Sequence, residues 1–202
     1  MIGAQVSACV GDRFPDSQVA LRKGTCGCLH AQILDQAVIK DAERSKQELH
    51  MMWLDMAKAF DSLRHGAILW TVKQWGVSSD VRRLLSTLMK TQSVRYCGYT
   101  NRRQVRSRPL QIRNGLIQGD SLSPLLCCLA IAPISAWIHS HVRPHQTKTG
   151  SGPRSDGSLQ VGHVFYMDDL KVFTPDWYEL TKAKNRIRLI VEQLGLALNN
   201  SK

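Results

Sequence analysis

The chain has 202 residues, of which 43% are hydrophobic, so it can bury a core in one domain or in two lobes that share one. This composition argues against wholesale disorder. Lysine and arginine together number 27 against 16 aspartate and glutamate residues, which gives a formal charge of +11. The excess favours a polyanionic partner such as nucleic acid, although a merely basic protein has the same balance.

The first half of the chain predicts helices around one short strand. Residues 1–20 have no clear periodicity. Apolar residues recur at helical spacing over residues 29–48, which indicates an amphipathic helix. The run "HMMWLDM" has the length of a strand, and its apolar residues lead up to Asp55. Residues 65–76 predict a short helix that Gly76 ends.

The next helix is predicted to begin at Ser79, which is a suitable N-cap. Its apolar stripe would consist of Val81, Leu84, Leu85 and Leu88. An apolar run over residues 122–138 is short of a membrane span and contains two prolines. We therefore predict a buried, kinked helix there, with Ser123 as its N-cap and Pro124 as its first helical residue.

The last part of the chain predicts a loop, a hairpin and a helix. Residues 143–158 are rich in glycine, serine, proline and basic residues, which indicates a loop. Strand-like segments near 161–167 and 170–174 then flank Asp168 and Asp169. A helix that starts at Thr174 and Pro175 should end at Gly195.

Residues 93–113 form a distinct basic segment. Their pattern predicts extended strands around a turn near Asn101, with Tyr96 and Tyr99 interleaved among arginines. Arginines and aromatic rings on one sheet face suit a nucleic-acid backbone and its bases, although a solvated edge hairpin has the same pattern. The six arginines of the segment are Arg95, Arg102, Arg103, Arg106, Arg108 and Arg113.

The cysteines do not point to a disulfide framework. There are six in a chain too long to need such staples, so we expect an intracellular protein, nuclear or cytoplasmic and not secreted. Residues 26–30, "CGCLH", contain zinc-ligand types, but no second pair follows at a usable spacing. The N-terminus also lacks the basic and apolar regions of a signal peptide.

Two adjacent carboxylates between apolar strands are electrostatically costly. A lone Asp-Asp pair is usually a turn, but Asp55 also follows an apolar strand. If these strands share a sheet, then Asp55, Asp168 and Asp169 can converge at one end of it. Such a cluster needs cations, and oxygen ligands suit Mg²⁺. Two Mg²⁺ ions, or Mn²⁺ in their place, would support phosphoryl transfer.

Four segments in order, "WLDMAKAFDSLRH", "NGLIQGDSLSPLL", "FYMDDLK" and "GLALNNSK", resemble motifs A to D of reverse transcriptases. The likeness is greatest to non-LTR (LINE-like) retrotransposon polymerases, and "QVALRKGTCGCLHAQILDQAV" resembles the segment before motif A in them. The resemblance covers about residues 18–202 and implies an α+β right-hand palm, an antiparallel sheet backed by helices. It implies a fingers remnant at about 18–49 and 77–113 and a palm at about 50–76 and 114–202, while residues 1–17 have no clear role. We expect the thumb to be absent.

The resemblance also implies roles for single residues. Asp55 and Asp168 would be the principal metal ligands, with Asp169 as a supporting carboxylate. Lys202, at the motif D lysine, would donate a proton to the leaving pyrophosphate. Phe60 falls where the family has an aromatic gate beneath the nucleotide sugar, although without the motif a core phenylalanine would be the preferred interpretation. The other residues implied at the nucleotide site are Gln118, Gly119, Tyr166 and Met167.

The implied activity is RNA-directed DNA polymerisation by two-metal nucleotidyl transfer. The partners would be an RNA template, a DNA primer and deoxynucleoside triphosphates, with no membrane. Arg22 and Lys23 would either meet phosphate or form a solvated basic turn. Two alternatives are a catalytically silent nucleic-acid-binding remnant and an RNA-directed RNA polymerase. The retained carboxylates argue against the first, and the bulk of Phe60 argues against the second.

Overall fold

The computed structural model describes residues 2–22, 24–100, 103–148 and 158–199. The helices are α1 (Ile2–Val10), α2 (Cys28–Ser45), α3 (Ala59–Ser62), α4 (His65–Gln74), α5 (Ser79–Thr91), α6 (Ser123–His141) and α7 (Trp177–Leu194), and a short 3₁₀ helix spans Gly11–Arg13. The strands are β1 (His50–Leu54), β2 (Met56–Ala57), β3 (Ser93–Val94), β4 (Cys97–Thr100), β5 (Arg103–Arg106), β6 (Leu110–Gln111), β7 (His145–Gln146), β8 (Gln160–Val161), β9 (His163–Tyr166), β10 (Asp169–Thr174) and β11 (Ala197–Leu198).

A three-stranded antiparallel sheet, here called the palm sheet, has the order β1–β10–β9. Its central strand β10 is buried from Leu170 to Thr174 because it has a neighbour on both sides and helices against it. The register pairs Leu54 with Leu170 and Asp169 with Tyr166. The predicted antiparallel sheet backed by helices is thereby confirmed.

Helix α6 forms the centre of the hydrophobic core. Its side chains are buried around most of its circumference, which explains why the segment is apolar throughout instead of amphipathic. By length and composition alone α6 could cross a membrane, but 61% of its apolar window is buried inside the fold. We interpret it as a core helix, as predicted. Helices α4 and α7 pack against it.

Four two-stranded pairs complete the described structure. They are β2 with β11, β3 with β6, β4 with β5 and β7 with β8, all antiparallel. Strand β2 follows β1 of the palm sheet after a single residue, Asp55. The residues of β3 to β6 are exposed throughout.

Several local predictions were wrong. Helix α1 was not predicted, yet it places Val6 and Val10 in the main core. Ser78, and not Ser79, caps α5, because its Oγ accepts a hydrogen bond from the Val81 amide at 3.5 Å. Leu84 and Leu88 are exposed, and the buried stripe of α5 consists of Val81, Leu85 and Met89.

The predicted starts of the two long helices also need correction. Leu122 is the N-cap of α6, so Ser123 is already helical and Pro124 lies one residue further in. Asp176 caps α7 through its Oδ1, which accepts hydrogen bonds from the Tyr178 and Glu179 amides at 2.8 and 3.2 Å. The end of α7 was predicted correctly, since Gly195 has a left-handed conformation with φ of 87°. The predicted 143–158 loop contains β7, and residues 149–157 lie outside the described part.

Candidate active site

The turn between β9 and β10 carries the paired carboxylates. Strand β9 ends at Tyr166, Met167 and Asp168 form the turn, and Asp169 opens β10. Asp55 follows Leu54, which pairs with Leu170. The sheet register therefore brings Asp55 to the end of the sheet where the turn lies, although 113 positions separate it from Asp168 in the sequence.

The three carboxylates differ in their surroundings. Asp55 and Asp168 are half-buried, whereas Asp169 is exposed. Burial raises the pKa of Asp168, and the charges of Asp169 and Asp55 raise it further, although a backbone hydrogen bond lowers it. The Asp55 charge is thus near enough to disfavour the ionised form of Asp168. A cation bound at this end of the palm sheet would relieve that repulsion.

The donor set suits a hard divalent cation, because every candidate ligand is a carboxylate oxygen. Among the described residues, however, no group of three or more His, Cys, Asp or Glu side chains is gathered closely enough to hold a metal by itself. This geometry is consistent with Mg²⁺, which proteins often hold through one or two carboxylates together with substrate phosphates.

Asn199 holds Asp55 from the far end of the chain. Its backbone N–H donates to the Asp55 carbonyl at 2.8 Å, and its Nδ2 donates to Asp55 Oδ2 at 3.2 Å. The β2–β11 pairing brings Asn199 to this position, because Leu198 pairs with Met56. Sequence reasoning missed Asn199, although it lies within the "GLALNNSK" motif. Lys202, which was predicted from that motif, lies outside the described residues.

Phe60 lies in α3, half-buried and packed against the main core. The segment that follows Asn114 is fastened beside it, since the Leu116 amide donates to the Phe60 carbonyl at 2.6 Å. Gly115 fits closely there: a Cβ at this position would lie 2.6 Å from the Asp61 carbonyl oxygen, and its φ is +86°. Motifs A and B are therefore in direct backbone contact, while both interpretations of Phe60 stay open.

Gln118 and Gly119 are exposed in the loop that leads to α6. The Gln118 Nε2 donates to the Asp61 Oδ1 at 3.2 Å, which links the side chains of motifs B and A. Asp61 was not predicted as a site residue. Apart from its place in motif A, one residue after Phe60, nothing in the sequence indicated that Asp61 lies at the site.

Tyr166 ends β9, and Met167 begins the turn. Tyr166 is 37% exposed, and a Cβ on Gly27 would lie 3.5 Å from its ring. Met167 has a left-handed backbone with φ of 53°. Its sulfur lies 3.7 Å from the Cys128 Sγ in α6. Burial, with a smaller effect from the Asp168 charge, raises the pKa of the neighbouring Cys127 thiol to about 12, so the thiols beneath the turn stay neutral.

The extended strands predicted for the basic segment, here called the arginine arm (residues 93–113), are confirmed, while the predicted turn near Asn101 lies outside the described residues. Strands β4 and β5 pair from Cys97–Arg106 to Thr100–Arg103. Tyr96 and Tyr99 are 68% and 79% exposed. The described arginines of the arm are all exposed: Arg95, Arg103, Arg106, Arg108 and Arg113. Arg102 lies outside the described residues.

Arg22 forms an exposed ion pair with Asp16 at 3.0 Å. This contact fits the solvated basic turn better than a free phosphate ligand, because the guanidinium already has a carboxylate partner. Lys23 lies outside the described residues.

Comparison with known proteins bears on this geometry. The model of the family described as "Reverse transcriptase (RNA-dependent DNA polymerase)" matches residues 2–202, which include the N-terminal segment that the motifs left without a role. The chain is 25% identical over 162 residues to the "Retrovirus-related Pol polyprotein from type-1 retrotransposable element R2" of Nasonia vitripennis. That alignment covers 80% of this chain and 14% of the polyprotein, so the chain spans a small part of this relative's length.

Solved structures share the fold at low sequence identity. Apo telomerase from Candida tropicalis, truncated from its C-terminal domain, superposes with a TM-score of 0.65 at 13% identity. Telomerase from Candida albicans, in complex with a TWJ fragment of telomeric RNA, superposes with a TM-score of 0.56 at 12% identity. Both alignments cover 100% of this chain, and 38% and 32% of the respective telomerase chains. They support the same polymerase palm.

Proposed function

Because this chain belongs to the reverse transcriptase (RNA-dependent DNA polymerase) family, we propose that it is the nucleotidyl-transfer core of a non-LTR retrotransposon polymerase. One observation carries this proposal. The register of the palm sheet brings Asp55 and Asp168, which are distant in sequence, to the same end of the sheet. There the charge of Asp55 acts on the Asp168 carboxylate. A half-buried carboxylate whose pKa is raised by burial and by two neighbouring charges is what a cation-dependent site needs.

Asp55 and Asp168 would hold the divalent cations, two Mg²⁺ ions or Mn²⁺ in their place, with Asp169 as a supporting carboxylate. Bound there, the cations would activate the primer hydroxyl and stabilise the leaving oxygen of the triphosphate. Asn199 restrains the Asp55 carboxylate through its Nδ2, and so limits the orientations that this ligand can adopt. Lys202 would protonate the pyrophosphate.

The incoming deoxynucleotide would lie between the turn and the segment that follows motif A. Gln118 and Gly119 are exposed and can contact the nucleotide and the template base. The Asp61 carboxylate accepts a hydrogen bond from Gln118 Nε2, and the side-chain oxygen of Gln118 takes no part in this bond. Phe60 would exclude a 2′-hydroxyl, and Tyr166 and Met167 would contact the primer end.

The arginine arm would bind template–primer duplex. Its arginines are exposed, its tyrosines can stack on bases, and the whole chain has a formal charge of +11. Affinity should therefore fall steeply with salt, because each neutralised phosphate releases counterions. RNA template and DNA primer meet inside cells, so the proposed setting is intracellular.

Primer extension tests the proposal. The substrates are an RNA template with an annealed DNA primer, Mg²⁺ and deoxynucleotides, and a second arm supplies ribonucleotides. The 202-residue chain is compared with a version that is extended at both ends. Deoxynucleotide addition by either protein supports the proposal. Duplex binding without addition by both would identify a silent remnant, and a preference for ribonucleotides would identify an RNA-directed RNA polymerase.

A further inference from the structure

A short segment before α2 adds to the palm sheet. The Val19 amide donates to the Phe165 carbonyl at 3.0 Å, and the Phe165 amide donates to the Ser17 carbonyl at 2.7 Å. Gln18 thus forms a parallel bridge with Phe165, on the edge of β9 that faces away from β10. Residues 17–19 cover this edge and lie beside the strand that leads into the turn.

The Gln18 side chain continues this pairing beyond the backbone. Its Nε2 donates to the Met167 carbonyl at 2.9 Å, and its Oε1 accepts from the Met167 amide at 3.1 Å. The primary amide therefore takes the place of a peptide unit in a strand and satisfies both backbone groups of one residue. Gln18 is only 2% exposed, so water cannot easily replace these bonds.

Met167 needs such support. Its left-handed φ of 53° is uncommon for a residue with a side chain and is strained. The two hydrogen bonds from Gln18 oppose this strain, because they satisfy both backbone polar groups of Met167 in this conformation. The residue held in this way comes immediately before Asp168.

We propose that Gln18 is a positioning residue that fixes the backbone of Met167 and thereby aims the Asp168 carboxylate towards Asp55. This inference rests on the proposed function, since it assigns the geometry of the same carboxylates. Gln18 itself contacts neither cation nor nucleotide. The link joins the N-terminal segment to the turn across 149 positions of sequence.

Gln18→Met tests this role, because methionine has a similar length and lacks both hydrogen-bonding groups. Two quantities are measured on the full 202-residue chain without turnover: the hydrogen-exchange rate of the Met167 amide by NMR, and Mn²⁺ affinity by electron paramagnetic resonance. We expect faster exchange at Met167 and a weakening of Mn²⁺ binding by roughly tenfold. This is the lower end of the range for residues that hydrogen-bond metal ligands directly, because Gln18 acts through the backbone of the residue before the ligand.

Ser17→Ala is the matched control. Ser17 precedes Gln18, and its Oγ lies 2.8 Å from the Ser135 Oγ, so the substitution removes a neighbouring bond that does not reach the turn. It should change stability while it leaves Met167 exchange and Mn²⁺ affinity near the wild-type values. Gln18→Asn, whose amide is one methylene too short to make both bonds, gives the same readouts with a smaller change in polarity if Gln18→Met does not fold.

The outcomes separate the two levels of the proposal. If wild type binds Mn²⁺ and both Gln18 variants bind it equally well, Gln18 has no positioning role. A wild-type Met167 amide that exchanges at the rate of an exposed amide would also overturn it. If the wild type binds no Mn²⁺ at millimolar concentration, and still none when template–primer and a non-hydrolysable deoxynucleotide are added, the proposed catalytic site fails, and the role of Gln18 falls with it. If the wild type needs these substrates to bind Mn²⁺, the variants are compared in the same complex.

Discussion

The strands that carry the carboxylates and the strands that carry the arginines differ in what surrounds them. In β10, Val172 and Phe173 are fully buried, and the turn before them is braced by Gln18 and Cys128. In β4 and β5 every described residue is exposed. Packing thus surrounds the turn that carries the carboxylates, whereas the arginine arm depends on charge, whose effect acts over several ångströms in water.

This contrast separates the consequences of mutation. Changes in the palm sheet should affect chemistry or stability, because a displaced carboxylate or a disturbed core has no alternative arrangement. Changes in the arginine arm should affect affinity and its dependence on salt, with little effect on stability.

Asp168→Asn should have the largest effect. It keeps the size of the side chain and removes one negative charge, so we expect nucleotide addition to fall at least about 10²-fold with nearly unchanged duplex affinity. Single-turnover primer extension and a binding titration measure the two quantities. Asp80→Asn, an exposed carboxylate in α5, is the control. Retained catalysis in Asp168→Asn would remove Asp168 from the mechanism.

His163 should make the palm sheet sensitive to acid. Burial lowers the pKa of His163 to about 4, helped by the nearby His139, and its Nε2 lies 2.7 Å from the Ser135 Oγ. Between pH 6.5 and 4 the unfolded chain therefore binds more protons than the native chain. The free energy of unfolding should fall over this window as pH is lowered, by on the order of 2–3 kcal/mol in total.

Denaturant titrations at pH 6.5, 5 and 4 measure this loss. His163→Gln removes the titrating group, so its free energy of unfolding should decrease less across the window. His30→Gln makes the same change at an exposed position and should behave as wild type. Parallel curves for wild type and His163→Gln would show that another group is responsible.

Phe60→Ala tests whether this half-buried ring of the palm also selects deoxynucleotides over ribonucleotides. As a gate, the ring discriminates against the 2′-hydroxyl by steric exclusion, so its removal should lower the deoxynucleotide preference by roughly 10- to 100-fold. The measurement is the ratio of kcat/KM for the two nucleotide types, in a form of the protein that first shows activity. Phe14→Ala removes a comparable ring from the same core and should lower stability alone. An unchanged ratio in Phe60→Ala would assign the ring to packing.

Gly115→Ala and Gly98→Ala compare the two regions directly. The new Cβ at Gly115 meets the Asp61 backbone at a positive φ, so we expect a loss of roughly 1–3 kcal/mol in the free energy of unfolding. At Gly98, in β4 of the arginine arm, a Cβ meets nothing within 4 Å. That variant should stay within about 0.5 kcal/mol of wild type by chemical denaturation. Equal losses would contradict the division between the regions.

Arg103→Ala with Arg106→Ala should have the smallest effect on the folded protein. Two lost phosphate contacts should reduce the slope of log affinity against log salt by about 2 and weaken binding roughly tenfold at moderate salt. Thermal unfolding should not change. The control pair Lys184→Ala with Arg186→Ala removes the same charge from exposed positions of α7. If both pairs weaken binding equally, net charge and not the arm explains affinity.

Local patterns predicted the elements whose signal is contained in their own residues. Apolar runs that end in aspartate indicated β1 and the β9–β10 hairpin, and Gly195 marked the end of α7. Helix α1 was missed because only Val6 and Val10 are buried, and one such pair establishes no period. Leu84 and Leu88 were misassigned because their apolar character predicts a core, and only the packing of α5 reveals that they face outward.

The supports of the candidate site were not predictable in this way. Gln18, Asp61 and Asn199 each act through a partner 57 to 149 positions away in sequence. A polar side chain gives the same sequence signal whether it faces solvent or braces a turn, and this holds for Gln18 and Asn199 in loops as well as for Asp61 in α3. The aspartates were found because adjacent charges between apolar strands are costly, whereas a neutral amide in a loop has no comparable anomaly.

The pairing of β1 with β10 has a consequence for synthesis on the ribosome. His50 pairs with Thr174, so the palm sheet can form only after residue 174 has emerged. Pairings of such long sequence separation form slowly, because the intervening chain must first lose its freedom. Until then β1 exposes unpaired backbone groups and apolar side chains, which favours aggregation. Slow translation or chaperones acting before residue 174 should therefore raise the yield of soluble protein more than the same help given later.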